Sequence, residues 1–285
     1  MEKKTEPFLL SCLFAEALGT FLIVFIGCGV VHSAVLTGAQ SGLWQVAVVW
    51  GIAVALAIYC VSHVSGAHLN PAITISFAFW GIFPAKKILP YVSAQIIGAI
   101  IAAFSLFIIY QPYIVKRERD LGVERGLPGS DLTAMCYGEY FPNPGPLSTA
   151  SGIYDSSKRE FFDAKVPVLN AFLAELIGTM ILACVIFAMT DSENHNSPQA
   201  NLAPLFIGLT VAVLISVIAP LTQACFNPAR DFGPRIASWF LGWGNIAIPG
   251  PRGGFFSIYI LAPTIGAILG GGVYKIQGFL INKKS

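Results

Sequence analysis

The triplet Asn-Pro-Ala occurs twice in this 285-residue sequence, as Asn70-Pro71-Ala72 and as Asn227-Pro228-Ala229. Asparagine is a preferred helix N-cap, because its side-chain oxygen accepts one of the amides that a helix start leaves unpaired. Proline suits the next position, where its missing N–H would have had no partner. Each triplet therefore reads as a helix start whose capping amide still has N–H groups to donate. One such cap is common; two, each opening an apolar stretch too short to cross a bilayer, form a specific pattern. Helix N-termini each carry roughly half a positive charge. Two of them meeting at mid-membrane would repel cations and interrupt a proton wire, while Asn70 and Asn227 donate to a passing hydroxyl or water. That is the chemistry of sorting neutral polar solutes from ions.

Other groups able to do chemistry are few. Glu16 and Glu175 lie within long apolar segments, at matching places in Ala15-Glu16-Ala17-Leu18-Gly19-Thr20 and Ala174-Glu175-Leu176-Ile177-Gly178-Thr179. Two roles are open to them: a proton relay, as in a coupled transporter, or acceptors that brace the unwound loop of their own half. Their repeat symmetry matches that of the loops and favours bracing. Arg230 follows the second triplet directly, and a charge at membrane depth is expensive unless it faces water; the plainer alternative is a rim salt bridge. His68 reads as loop-bracing or pore-lining, with no partners for a metal. His63 reads as an interfacial histidine, with a pH gate as the sharper alternative. Cys225 faces either the pore, where mercurials would reach it, or the protein.

Composition states where such groups must sit. Charged residues make up 11% of the chain and apolar ones 55%, and no Asp, Glu, Lys or Arg occurs between Glu16 and Lys86. A soluble domain carries about 25% charged residues, so the chain is expected to be integral to a bilayer. A net charge of +2 gives no reason to expect a nucleic-acid partner. Cys12, Cys28, Cys60, Cys136, Cys184 and Cys225 show no metal or disulfide spacing, and no cofactor is implied. The apolar run after the basic N-terminus is too long for a secretory signal.

At about 20 apolar residues per crossing, six spans are expected near 8–32, 43–63, 87–110, 168–190, 202–222 and 254–277. The remainders, 70–81 and 228–241, must be re-entrant half-helices tucked into protein or lining water, since every backbone amide in hydrocarbon needs a partner. The fold class is thus an all-α membrane protein of six transmembrane helices and two half-helices. Residues 1–111 form the first repeat and 167–285 the second, joined by a long loop, 112–166. Three spans per repeat is an odd number, so the second repeat runs inverted and matching segments meet near the midplane. Gly19, Gly98, Gly178 and Gly266 read as close helix contacts. Lys3-Lys4, Lys86-Lys87 and Lys283-Lys284 put both termini in the cytoplasm. Loop 112–166 then lies outside, either capping the pore or solvating its rim.

The paired triplets, the repeated Ala-Glu and Gly-Thr pairs, Ser65-Gly66-Ala67-His68-Leu69, and Asn227-Pro228-Ala229-Arg230-Asp231-Phe232-Gly233-Pro234-Arg235 resemble the major intrinsic protein family. Within it the chain is most similar to the aquaglyceroporins, including bacterial glycerol facilitators. The resemblance implies a homotetramer with one pore per subunit, in a plasma membrane or bacterial inner membrane. It implies a passive channel, not an enzyme, for glycerol, water and other small neutral solutes. Asp231 and Arg235 are of the glycerol type. Trp50, Ile215, Ala224 and Arg230 would form the narrowest ring, with Gly66, Ala67, His68, Leu69, Gln223 and Cys225 lining the path; for Trp50 the alternative is an interfacial belt residue. Three positions depart from the glycerol pattern: Ala224 replaces an aromatic, Gln223 replaces glycine, and Tyr259-Ile260 stands where Pro-Leu is usual. The first two imply a wider filter. The competing readings are a water-selective channel and, further off, a proton-coupled secondary transporter.

Overall fold

The computed structural model describes residues 8–199 and 201–282. The basic pairs Lys3-Lys4 and Lys283-Lys284 lie outside the described residues. Within them the architecture is helical, with no strand. The long helices are α1 (Leu9–His32), α2 (Leu43–Ser65), α4 (Ile88–Leu121), α5 (Val168–Thr190), α6 (Ala203–Thr222) and α8 (Ala262–Asn282), with two short ones, α3 (Pro71–Phe79) and α7 (Pro228–Ser238). Six segments have the length and hydropathy to span a bilayer, the last starting at Ser257. Large apolar side chains point outward from them, such as Ile108 at 78% exposure. In water that surface would be untenable; in lipid it is the required one.

The halves mirror each other in how they pack. Helix α1 lies against α4, α5 against α8, and α2 crosses α6 at the centre. Glycines set these crossings. A Cβ on Gly98 would stand 2.0 Å from Ala17 O, and one on Gly266 would stand 2.2 Å from Leu176 O. Gly19 and Gly178 make the expected helix contacts, with Val61 of α2 and Ile218 of α6, and each also receives a loop residue. The space over Gly19 is taken by Leu69, and that over Gly178 by Phe226, the residues that precede the two capping asparagines. Gly98→Ala and Gly266→Ala should each destabilise the protein by about 1–3 kcal/mol, as overpacking does. Melting in detergent tests this against Gly29→Ala, whose Cβ would meet only Leu106 Cδ2 at 3.4 Å; equal melting of all three would discard the close-contact reading.

The third span is longer than expected. Helix α4 continues through Pro112 to Leu121, closed by a left-handed Gly122. Ile114 and Leu121 are still buried there, and Lys116 pairs with Asp120 one turn on, so both packing and charge spacing carry the helix past Pro112 and Lys116. The connection after it is folded as a cap. Arg125 makes two 2.9 Å bonds to the Glu118 carboxylate and stacks 4.4 Å from the ring of buried Trp243. Arg159 ties buried Asp131 at 2.7 Å to Asp163 at 2.9 Å. Burial raises the Asp131 carboxyl, an effect the Arg159 guanidinium opposes.

Candidate functional site

The two loops that enter the half-helices hold a backbone few sequences adopt. Ala67 and Leu69 have φ of 52° and 51°, and Gln223, Ala224 and Phe226 have φ of 62°, 62° and 53°. Left-handed non-glycine residues are strained by about 1–3 kcal/mol each, so something must hold them. In the first half it is Glu16. One carboxylate oxygen accepts Ser65 Oγ at 2.7 Å and His68 N at 2.9 Å; the other accepts Leu69 N at 2.7 Å and Gln95 Nε2 at 2.8 Å. In the second half Glu175 accepts Thr222 Oγ1 at 2.6 Å, Cys225 N at 2.9 Å and Phe226 N at 2.9 Å. Neither carboxylate is exposed.

The half-helices start as the triplets predict. Asn70 Oδ1 accepts Ala72 N at 2.9 Å, and Asn227 Oδ1 accepts Ala229 N at 3.0 Å. The amide nitrogens cross over. Asn70 Nδ2 donates to Phe226 O and Asn227 Nδ2 donates to Leu69 O, both at 2.8 Å. Each asparagine thus caps its own half-helix and ties down the other half's loop, with a second N–H left to donate.

A cavity of about 630 Å³ runs past this junction, from Asp191, Asn194 and His195 after α5 to Arg230. Trp50, Ile215, Ala224 and Arg230 all border it, as do Gly66, Ala67, His68, Leu69, Asn70 and Asn227. The Arg230 guanidinium lies 4.2 Å from the Trp50 ring centre, donates to Ala224 O at 3.2 Å, and pairs with the Glu139 carboxylate. It is 3% exposed. The ring inferred from resemblance is brought together in space, with Trp50 buried and not in an interfacial belt.

Of the expected lining residues Gln223 differs from expectation, while Cys225 and His68 each take up alternatives the sequence left open. Gln223 does not border the cavity. Its Oε1 accepts Tyr140 N at 2.9 Å and its Nε2 donates to Met135 O at 3.2 Å, so the amide faces the cap because that cap presents free backbone groups there. Cys225 borders the cavity, but its thiol lies 3.3 Å from Asn227 O and 3.8 Å from Tyr259 O, packed with Phe141 and Ile258. Its side chain faces the protein. His68 borders the cavity and also braces: Nδ1 sits 3.2 Å from Thr74 Oγ1, the ring against Phe77, Phe83 and Tyr91.

Several working residues escaped the sequence reading. Gln95 bridges Glu16 to Thr74; an amide inside the uncharged run 88–115 was the available signal. Tyr91 donates to Ser65 O at 3.1 Å and Tyr259 donates to Thr222 O at 3.2 Å, the same bond in each half. Tyr259 is therefore a brace, whichever solute type its presence resembles. Glu139 lies in the cap among apolar neighbours and had no local signal. Asp231 and Arg235 grip its backbone: Asp231 Oδ1 accepts Glu139 N at 2.6 Å, and the Arg235 guanidinium, paired to Asp231 at 2.8 Å, donates to Glu139 O.

The chain is 38% identical to a glycerol uptake facilitator protein of Pseudomonas aeruginosa, over 95% of this chain and 89% of the relative. It is 37% identical to the glycerol uptake facilitator protein of Escherichia coli K12, over 92% and 85%. A propanediol uptake facilitator of Citrobacter freundii is 38% identical, over 94% and 91%. The X-ray structure of the aquaglyceroporin from Plasmodium falciparum superposes with a TM-score of 0.79 at 24% identity, covering 96% of this chain and 99% of that one, a likeness of fold. The family model for the major intrinsic protein matches residues 3–274, and with relatives of this identity across nearly the whole chain, the protein belongs to the major intrinsic protein family.

Proposed function

We propose that the protein is a passive channel for glycerol, water and other small neutral solutes that excludes protons and ions. The observation that carries this reading is the arrangement of Arg230 over Trp50, beside the crossed Asn70 and Asn227 amides, on one continuous cavity. The guanidinium offers fixed donors to hydroxyls, and the indole and Ile215 offer an apolar wall to the carbon backbone. The same positive group, with the two half-helix starts, opposes cations. The names of the glycerol facilitator relatives support glycerol as the solute.

Coupled transport needs a carboxylate free to exchange protons or bind an ion. Glu16 and Glu175 instead hold hydrogen bonds on both oxygens from their own loops, which supports bracing. The wider reading includes a homotetramer, with repeats 1–111 and 167–285 flanking the outer segment 112–166. Both termini are cytoplasmic, in a bacterial inner membrane.

Stopped-flow light scattering on reconstituted vesicles tests it. Glycerol and water should both equilibrate faster than in protein-free vesicles. The glycerol rate should rise linearly with the gradient and be unchanged when a proton gradient is collapsed. Fast water with glycerol at the protein-free rate would make the channel water-selective. Saturating, proton-dependent uptake would replace the channel with a transporter.

A further inference from the structure

Arg230 is held from two directions. At one end its Nη2 donates to Ala224 O at 3.2 Å; at the other its Nη1 meets the Glu139 carboxylate. These anchors come from separate parts of the chain, the pore loop after α6 and the cap after α4. Ala224 contributes only a methyl group to the ring, so no side chain on that flank wedges the guanidinium in place. Where it stands across the cavity depends on the separation of the two anchors.

Gln223 spans that separation. It is joined covalently to Ala224, and its buried side chain takes Tyr140 N at 2.9 Å and gives to Met135 O at 3.2 Å. Tyr140 is the residue after Glu139. A glutamine at φ 62° holds a conformation that side-chain-bearing residues rarely adopt, and here it aims both amide groups at the cap. Asn143 adds a parallel tie to the same helix end, Nδ2 to Ala219 O at 2.8 Å. Asp231 and Arg235 grip the Glu139 backbone from α7; neither relates it to residue 224.

We propose that Gln223 is a specificity-positioning residue: by pinning segment 135–140 to the backbone of Ala224 it fixes the Arg230 guanidinium against Trp50 and so sets how large a polyol passes. It touches no solute. Its effect runs through Glu139, and the inference rests on the channel reading above.

The test is the ratio of five-carbon polyol to glycerol permeability in reconstituted vesicles. Both fluxes scale with the number of folded channels, so a loss of folded protein leaves the ratio unmoved. Gln223→Ala, which removes both bonds, should raise it by about fivefold or more, since one lost hydrogen bond alone is worth about that factor. Gln223→Glu, which keeps the acceptor for Tyr140 N and loses the donor to Met135 O, should raise it also. In a Glu139→Ala background, Gln223→Ala should change nothing further. An unmoved ratio in both single variants, or the same rise with and without Glu139, would overturn the inference while wild-type glycerol flux leaves the channel reading standing. Wild-type vesicles that pass water alone would overturn both.

Discussion

Glu175→Ala is expected to abolish recovery of folded protein, and Glu16→Ala to do the same. Alanine at 175 strands the buried amides of Cys225 and Phe226. Each stranded donor costs about 1–3 kcal/mol. The strain of the left-handed residues Gln223, Ala224 and Phe226 then stands with less to offset it. The loss is about 5 kcal/mol or more, comparable to the whole stability of an ordinary domain. Glu16→Ala strands His68 N and Leu69 N and frees Gln95. Glutamine at either position keeps the shape and one acceptor oxygen, so Glu175→Gln should be recovered folded and melt below wild type. Gel filtration and melting in detergent give the answer. A monodisperse Glu175→Ala protein melting with wild type would remove the carboxylate from the frame. A proton relay makes the opposite forecast, normal folding of the glutamine variant with altered coupling.

What the sequence made readable follows from how far each constraint reaches along the chain. The half-helix starts were legible because capping is local: asparagine, then proline, within one turn. The spans were legible because lipid punishes every charge. Their ends were less so, since α4 runs on to Leu121 by packing Ile114 and Leu121 against the cap, a tertiary effect. The bracing role of Glu16 and Glu175 showed through the repeat. Among the described residues no side-chain amide bonds Glu175 in the second half as Gln95 bonds Glu16, so symmetry could not point to it. Gln223 and Cys225 were placed on the path by adjacency to the triplet, but in an irregular loop neighbouring side chains diverge, one to the cap and one into the Phe141 cluster. Glu139 is far from Arg230 in sequence, and only the folded cap brings the two together.

That long-range pair sets the second large effect. Arg230→Ala should turn the filter from a barrier to cations into an attractor for them. Removing the guanidinium deletes one positive charge from the cavity wall and leaves the buried Glu139 carboxylate, 4% exposed, behind it without its partner. At an effective dielectric of about 20 and a distance of roughly 5 Å, one unit charge is worth about 3 kcal/mol, or about a hundredfold in a rate. Proton and alkali-cation leak should therefore rise by about that factor, measured with a pH-sensitive dye in vesicles under an imposed potential. Glycerol flux should lose selectivity against longer polyols at the same time, because the donors and the cation stacked on Trp50 go together. Glu139→Gln in the same chain should take back most of the leak while leaving the widened polyol range, since it restores neutrality and not size. Trp50→Ala, with Arg230 still paired to Glu139, should widen the polyol range with little leak. A tight Arg230→Ala channel would mean that the half-helix starts at Asn70 and Asn227 exclude cations unaided. Leak that persists in the double variant would show that the empty width at Arg230, and not the unpaired carboxylate, admits them.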